Sequence, residues 1–313
     1  MSGIKGYLGM DVGGTKVAIR VEGDGAEPYE TTFRWRTDDG VRADMKKLAA
    51  CLEDLPGHWP GPIIAAGIAM PATLDGDGRV TAWPNRPGWR GLDLRSELRR
   101  MLPGTTVACA DDGDVAALAE ARAAGIEDVV YLGIGTGVGG GVVLGGSLCP
   151  GAERGSCEIG HLIVDRSGTR CDCGRQGCVQ AFASGRAILR RAARLRGEEY
   201  VSYEELREAW QAAVPWAVLA VDEACAALAA AAVGTNELFR PSAVIIGGGF
   251  ADGLPGFVPT VERHTRRLAR AGHPAPRIRP ALLGGLSSLH GSILLARGVT
   301  AGASPADAQQ ALV

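Results

Sequence analysis

The chain has 313 residues, of which 46% are hydrophobic and 22% charged, with a formal net charge of -2. That length allows one large or two medium domains, each able to bury its own core. The near-neutral balance excludes bulk attraction to nucleic acid or to a membrane surface, and no targeting pattern stands ahead of the first apolar run, so a cytoplasmic protein is expected.

In chain order, strands are expected at Tyr7–Asp11 and Lys16–Glu22, joined by the turn Gly13-Gly14-Thr15. A glycine turn leaves backbone N–H groups free to face an anion, because no side chain blocks the approach. A strand at Tyr29–Trp35 and a helix from about Val41 to Leu55 follow, with Met45, Leu48, Leu52 and Leu55 on one face. After a strand at Ile63–Met70 comes the turn signal Asp75-Gly76-Asp77-Gly78. The segment Trp83-Pro84-Asn85-Arg86-Pro87-Gly88-Trp89 is too rich in proline for regular structure, and it either packs over a core edge or lines a pocket. A helix at Leu94–Met101 and a strand at Thr106–Ala110 lead to Asp111-Asp112-Gly113-Asp114, which opens a helix at Val115–Ala123. One acid can cap that helix, and Asp114 suits the part. Asp111 and Asp112 stand at a strand's carboxyl end, where open α/β sheets bind ligands.

The second half restarts the pattern with strands at Val129–Gly135 and Gly139–Leu144 around Gly135-Thr136-Gly137. Two glycine turns of one design, one in each half, suggest a clamp around a polyphosphate. Asp11 beside bound phosphates calls for Mg2+ between them, and Lys16 can neutralise phosphate charge. Next come Glu158-Ile159-Gly160-His161, a strand at Leu162–Val164, and Cys171, Cys173 and Cys178. One imidazole and three thiolates form the donor set of a closed, structural zinc site. A disulfide within the loop is the alternative, and it suits a cytoplasmic chain poorly. Helices are expected from near Gln180, at Ala187–Arg196, at Tyr203–Ala213 and at Ala217–Val233. The apolar stretch Ala212–Val233 carries Asp222 and Glu223 in its middle, which favours a core helix over a membrane span. A strand at Ala243–Ile246 ends in Gly247-Gly248-Gly249, where a base and ribose can lie against the backbone. A helix at Leu289–Val299 and a loose tail after Ala301 close the chain.

Asp11-Val-Gly-Gly-Thr-Lys16, Gly135-Thr-Gly-Val-Gly-Gly-Gly141, Glu158-Ile-Gly-His161 and Cys171-x-Cys-Gly-x-x-Gly-Cys178 together resemble the ROK family of bacterial sugar kinases, repressors and open reading frames. The resemblance implies an α/β, two-domain, actin-like ATPase fold of the ribonuclease H-like, hexokinase type with a structural zinc loop. It puts a small domain at 1–113 with a C-terminal helix at about 289–313, and a large domain at 114–288, closing on ATP and sugar in a homodimer. Family repressors carry a helix-turn-helix ahead of the first phosphate loop; here that loop begins at residue 8, so a kinase is expected. ATP, Mg2+ and Zn2+ are the implied cofactors. By position, Asp112 matches the catalytic base for the sugar's 6-hydroxyl, while Asn85, Glu158 and His161 match sugar ligands. Gly13, Gly14, Thr15, Lys16, Gly135, Thr136, Gly137 and Gly247 to Gly249 match the nucleotide site.

Two departures bear on the sugar. Family glucokinases read Glu-Asn-Asp-Ala-Asn where this chain reads Ala110-Asp111-Asp112-Gly113-Asp114, so a carboxylate replaces an amide near the sugar's 3-hydroxyl. Adjacent anions raise one another's pKa unless a cation separates them, and an ammonium on the sugar does so. Gln180 stands where the family has a glutamate at the anomeric end. The expected substrate is a glucose-like sugar with a free amine on carbon 3, such as kanosamine (3-amino-3-deoxyglucose) in antibiotic biosynthesis. A plain glucokinase, an N-acetyl-sugar or cyclitol kinase, and a non-catalytic sugar sensor are the alternatives.

Overall fold

Along β1 (Gly6–Val12) the side chains of Leu8, Met10 and Val12 are buried, and along β2 (Lys16–Glu22) so are Val17, Ile19 and Val21. This period of two turns one face of each strand to a core. The computed structural model describes residues 4–36, 40–151 and 155–301, so the expected tail and the far end of a helix reaching 313 lie outside the described residues. Two units divide the chain: residues 1–119, 151–156 and 286–313 form one, and residues 120–150 and 157–285 the other.

The first unit holds a sheet in the order β3 (Tyr29–Arg34), β2, β1, β4 (Ile63–Ala69), β7 (Thr106–Ala110). The pairs β3–β2 and β2–β1 are antiparallel, whereas β1–β4 and β4–β7 are parallel. A small hairpin, β5 (Thr73–Leu74) with β6 (Val80–Ala82), carries the Asp75–Gly78 turn. On α1 (Val41–Glu53) the expected face is buried through Met45, Leu48 and Leu52, and Leu55 is buried in the 3-10 turn that follows. Asp93 caps α2 (Leu94–Met101) by accepting the Ser96 N–H at 3.0 Å. Trp83 and Trp89 are both buried, so the proline-rich segment packs into the core by its two ends.

The second unit repeats this topology. Its sheet runs β10 (Ser147–Cys149), β9 (Val138–Leu144), β8 (Val129–Ile134), β11 (Ala243–Gly247), β12 (Ile278–Pro280), with the same two antiparallel and two parallel pairings. Its helices are α4 (Val179–Ala183), α5 (Gly185–Arg196), α6 (Tyr203–Gln211), α7 (Pro215–Phe239), α8 (Gly249–Asp252) and α9 (Phe257–Arg267). By length and composition α7 could cross a membrane. Its Val221, Cys225 and Leu228 lie instead in the second core, and its two acids are paired: Asp222 with Arg263 at 2.9 Å and His264 at 2.8 Å, Glu223 with Arg191 at 2.6 Å.

The expected strand at 162–164 reduces to a single bridge between Ile163 and Cys178, and Ile163 is 58% exposed. The helix α3 (Asp112–Ala124) begins three residues before the expected start, and α9 was not anticipated.

In the first unit, α10 (Ser287–Ala301) lies on the sheet at backbone contact: a Cβ on Gly67 would overlap the Ser292 carbonyl, and one on Gly291 the Val115 carbonyl. Gly67→Ala should therefore cost about 1–3 kcal/mol in chemical denaturation. Gly57→Ala, where a Cβ meets nothing within 4 Å, should stay within about 0.5 kcal/mol. Equal effects at the two sites would contradict this packing.

Candidate active site and metal centre

Strand register brings the carboxylates of the first unit to one edge. Asp11 on β1 is level with Ala69 on β4, and Ala69 with Ala110 at the end of β7, so Asp11 and the Asp111-Asp112 pair stand together at the carboxyl ends of parallel strands. Asp111 turns its Oδ1 back to accept the Gly113 N–H at 2.9 Å. The cap of α3 therefore falls to Asp111, and Asp114 is buried within the first turn. Burial, then the charge on Asp11, with Asp114 adding to them, push Asp112 up to about 6. Asp11 is also raised by burial, offset in part by Lys16. A carboxylate that is half-buried and poised near neutrality suits a general base. Two crowded carboxylates with raised pKa values also fit a divalent cation, and Asp11 is the one next to the glycine turn.

That turn links β1 to β2. The Gly13 N–H donates to the Lys16 carbonyl at 2.9 Å, and the Gly13 carbonyl accepts the Trp35 indole N–H at 2.8 Å. The Trp35 backbone N–H donates to the Thr15 carbonyl at 3.0 Å. Thr15 and Lys16 are exposed, and Asn85 rests against Gly14, where a Cβ would stand 2.8 Å from that of Asn85. Trp35 was legible in the sequence only as the end of a strand.

The turn of the second unit is built alike. The Gly135 N–H donates to the Gly137 carbonyl at 3.0 Å, while the Gly135 carbonyl accepts the Gly185 N–H at 2.9 Å, with Thr136 exposed at the tip. Gln180 Oε1 accepts the Val138 N–H at 3.1 Å, so this side chain braces the turn. Gly248, with φ of +92°, passes so near Ile134 that a Cβ would press on its backbone, which sets Gly247 to Gly249 beside the end of β8. Glu158 and His161 flank a single 3-10 turn, where residues three apart eclipse and share a face. Gly160 lets that turn reach β9, for a Cβ there would overlap the Val138 carbonyl.

His161, Cys171, Cys173 and Cys178 bring their ligand atoms within 4.8 Å of one another. Cys171 Sγ is 3.8 Å from His161 Nδ1, and Cys173 Sγ is 3.7 Å from Cys178 Sγ. Tetrahedral zinc with bonds of about 2.0–2.3 Å sets its ligands roughly 3.3–3.8 Å apart, so these two pairs stand at its spacing and the four side chains form a donor set suited to that ion. The sulfur separation is far beyond a disulfide bond of about 2.05 Å, and none of the eight cysteines is joined in a disulfide. Burial and the neighbouring thiols push Cys178 up to about 12. A thiolate there calls for a cation, which is the chemistry zinc supplies.

Residues 7–299 match the ROK family. The chain is 51% identical over 299 residues to the kanosamine kinase of Amycolatopsis mediterranei, covering 96% of this chain and 98% of that protein. Among solved structures, it is similar to the ROK hexokinase from Thermus thermophilus (TM-score 0.83, 33% identity, 95% of this chain and 100% of that one). It is also similar to a ROK family glucokinase from Streptomyces griseus in complex with glucose and AMPPNP (TM-score 0.77, 28% identity, 94% of this chain and 99% of that one).

Two outcomes follow from this geometry. Asp112 is pushed from 3.8 to about 6 in the folded state, so its contribution to stability is intact below about pH 4 and lost as pH rises through 6. Asp112→Asn should then raise stability at pH 8 by up to about 3 kcal/mol and leave it unchanged at pH 4; an equal effect at both pH values would contradict the raised pKa. For the metal centre, elemental analysis should find about one zinc per chain, and Cys171→Ser should lower both zinc content and melting temperature. Full zinc content in that variant would remove Cys171 from the ligand set.

Proposed function

Because the chain belongs to the ROK family, we propose that it is a kinase transferring the γ-phosphoryl group of ATP to the 6-hydroxyl of an amino sugar, kanosamine, in antibiotic biosynthesis. Asp112 takes the proton of the 6-hydroxyl while that oxygen bonds to the γ-phosphorus. The bond from the γ-phosphorus to the bridging oxygen breaks, and ADP leaves with its electron pair. Gly13 to Lys16 and Gly135 to Gly137 hold the phosphates, Gly247 to Gly249 the adenosine, and Asn85, Glu158 and His161 the sugar hydroxyls. When bound, Mg2+ neutralises phosphate charge, and Asp11 is the residue to hold it. His161, Cys171, Cys173 and Cys178 would hold zinc, which would fix the imidazole by one ring nitrogen and leave the other for the sugar. A homodimer belongs to the same proposal.

Asp111 carries the choice of sugar. Its bond to the Gly113 N–H is a helix cap, which asparagine makes as well as aspartate. The capping bond therefore does not by itself require a charge at this position. A protonated amine on carbon 3 would be attracted by that charge, and the kanosamine kinase relative supports the same substrate. The bond from Gln180 to the second glycine turn supports a brace there, whatever it contacts on the sugar.

Rates on kanosamine and glucose decide the matter. Kanosamine should be preferred by at least about tenfold in kcat/KM, roughly 1.4 kcal/mol in transition-state binding. Asp111→Asn should move the ratio toward glucose, and NMR of the product should place the phosphate on carbon 6. A tenfold preference for glucose, or a ratio that Asp111→Asn does not move, would reject the amino-sugar reading. Glucose turnover alone would leave a glucokinase, and absence of ATP consumption with any sugar would leave a sensor.

A further inference from the structure

A charge on the apolar face of a helix is costly unless it is paired and hydrogen-bonded. Asp44 occupies such a place on α1, between Val41 and Leu48 on the buried stripe, and is only 3% exposed. Its carboxylate gathers three donors from the proline-rich segment: Trp89 Nε1 at 2.8 Å, Arg86 Nη2 at 3.1 Å and Arg86 Nε at 3.3 Å. The two arginine bonds fall on different carboxylate oxygens, the fork geometry that fixes orientation as well as distance.

The contacts continue in two directions. Arg86 is the residue after Asn85, and its capture draws down the stretch of chain that lays Asn85 against Gly14. The Arg86 guanidinium also lies 5.0 Å from the ring centre of Trp35, and Trp35 meets Trp89 edge to face at 5.8 Å. Trp35 in turn grips the first glycine turn, by its indole N–H to the Gly13 carbonyl at 2.8 Å and its backbone N–H to the Thr15 carbonyl at 3.0 Å. One buried carboxylate thus stands behind two pieces of the candidate site that are far apart in sequence.

We propose that Asp44 is a positioning residue that sets the Asn85 segment and the Gly13–Lys16 turn in register with each other, through Arg86, Trp89 and Trp35. This rests on the reading of Asn85 as a sugar ligand and of Gly13–Lys16 as a phosphate turn. A purely structural Asp44 would change the amount of folded enzyme and leave both Michaelis constants alone. A positioning Asp44 changes the Michaelis constants of the molecules that do fold.

The test compares Asp44→Asn, Trp35→Phe and Asn85→Ala with the full-length wild type, using rates per folded molecule and both KM values. Asp44→Asn should raise KM for the sugar and for ATP by about fivefold or more each, with kcat within about threefold. Trp35→Phe keeps the Asp44–Arg86 ion pair and an aromatic ring beside Arg86 and Trp89, and loses the indole bond to Gly13; it should raise KM for ATP about threefold and leave KM for the sugar within about twofold. Unchanged KM values in folded Asp44→Asn, with sugar KM raised in Asn85→Ala, would overturn the proposal. Should Asp44→Asn fail to fold, an unchanged ATP KM in Trp35→Phe overturns it instead. An unchanged sugar KM in Asn85→Ala defeats the assignment of Asn85 and the sugar half of the proposal with it, while Trp35→Phe still judges the ATP half.

Discussion

Carboxylates held near one another away from water repel, and the fold of the first unit imposes that cost at the edge of its sheet. Parallel pairing of β1 with β4 and of β4 with β7 makes Asp11 and Asp112 neighbours, although a hundred residues of chain lie between them. Burial and the charge of Asp11 hold Asp112 near pH 6, where a carboxylate is both ionised at neutral pH and basic enough to take a proton. The same repulsion makes the edge receptive to a cation. Strain of this kind persists at a site because the sheet around it is over-determined by packing, from Leu8 and Met10 on β1 to the backbone contact of α10 at Gly67.

Each unit builds its glycine turn in the same way. The first glycine donates across the turn and accepts from a distant element, which is the Trp35 indole in one unit and the Gly185 amide in the other. What differs is the support behind the turn. In the first unit it is an aromatic and ionic cluster around Asp44. In the second it is the run from the zinc loop into α4, where Cys178 leads two residues on to Gln180 and its bond to Val138. The turn is the same in both units, and what braces it differs.

Much of this could be read from the chain. The paired glycine turns anticipated one strand–turn–strand hairpin in each half, β1 with β2 and β8 with β9, while the wider sheet topology was implied by the family resemblance. The histidine and cysteine spacing anticipated a cluster whose ligand atoms the fold brings within 4.8 Å of one another. Other features were hidden for physical reasons. Pro259 interrupts the helical pattern of residues 257–267, but it sits in the first turn of α9, where a missing N–H costs nothing. Leu162 to Val164 has strand-like residues yet finds only one bridge, since tertiary context outweighs β-propensity. Asp114 suited the cap by position, but Asp111 reaches the Gly113 N–H first. Asp44 did leave a signal, a charge on an otherwise apolar helix face, and its meaning depended on Arg86 and Trp89 arriving from more than forty positions away.

The account stands on Asp112 as the group that receives the sugar's proton. The most direct test is the turnover of Asp112→Ala on its preferred sugar, with nucleotide affinity measured calorimetrically on the same sample. A loss of about 100-fold to 10,000-fold in kcat, with ATP affinity retained, is the predicted result. Phosphorylation at the wild-type rate would contradict it and move the chemistry away from the carboxyl edge of β7.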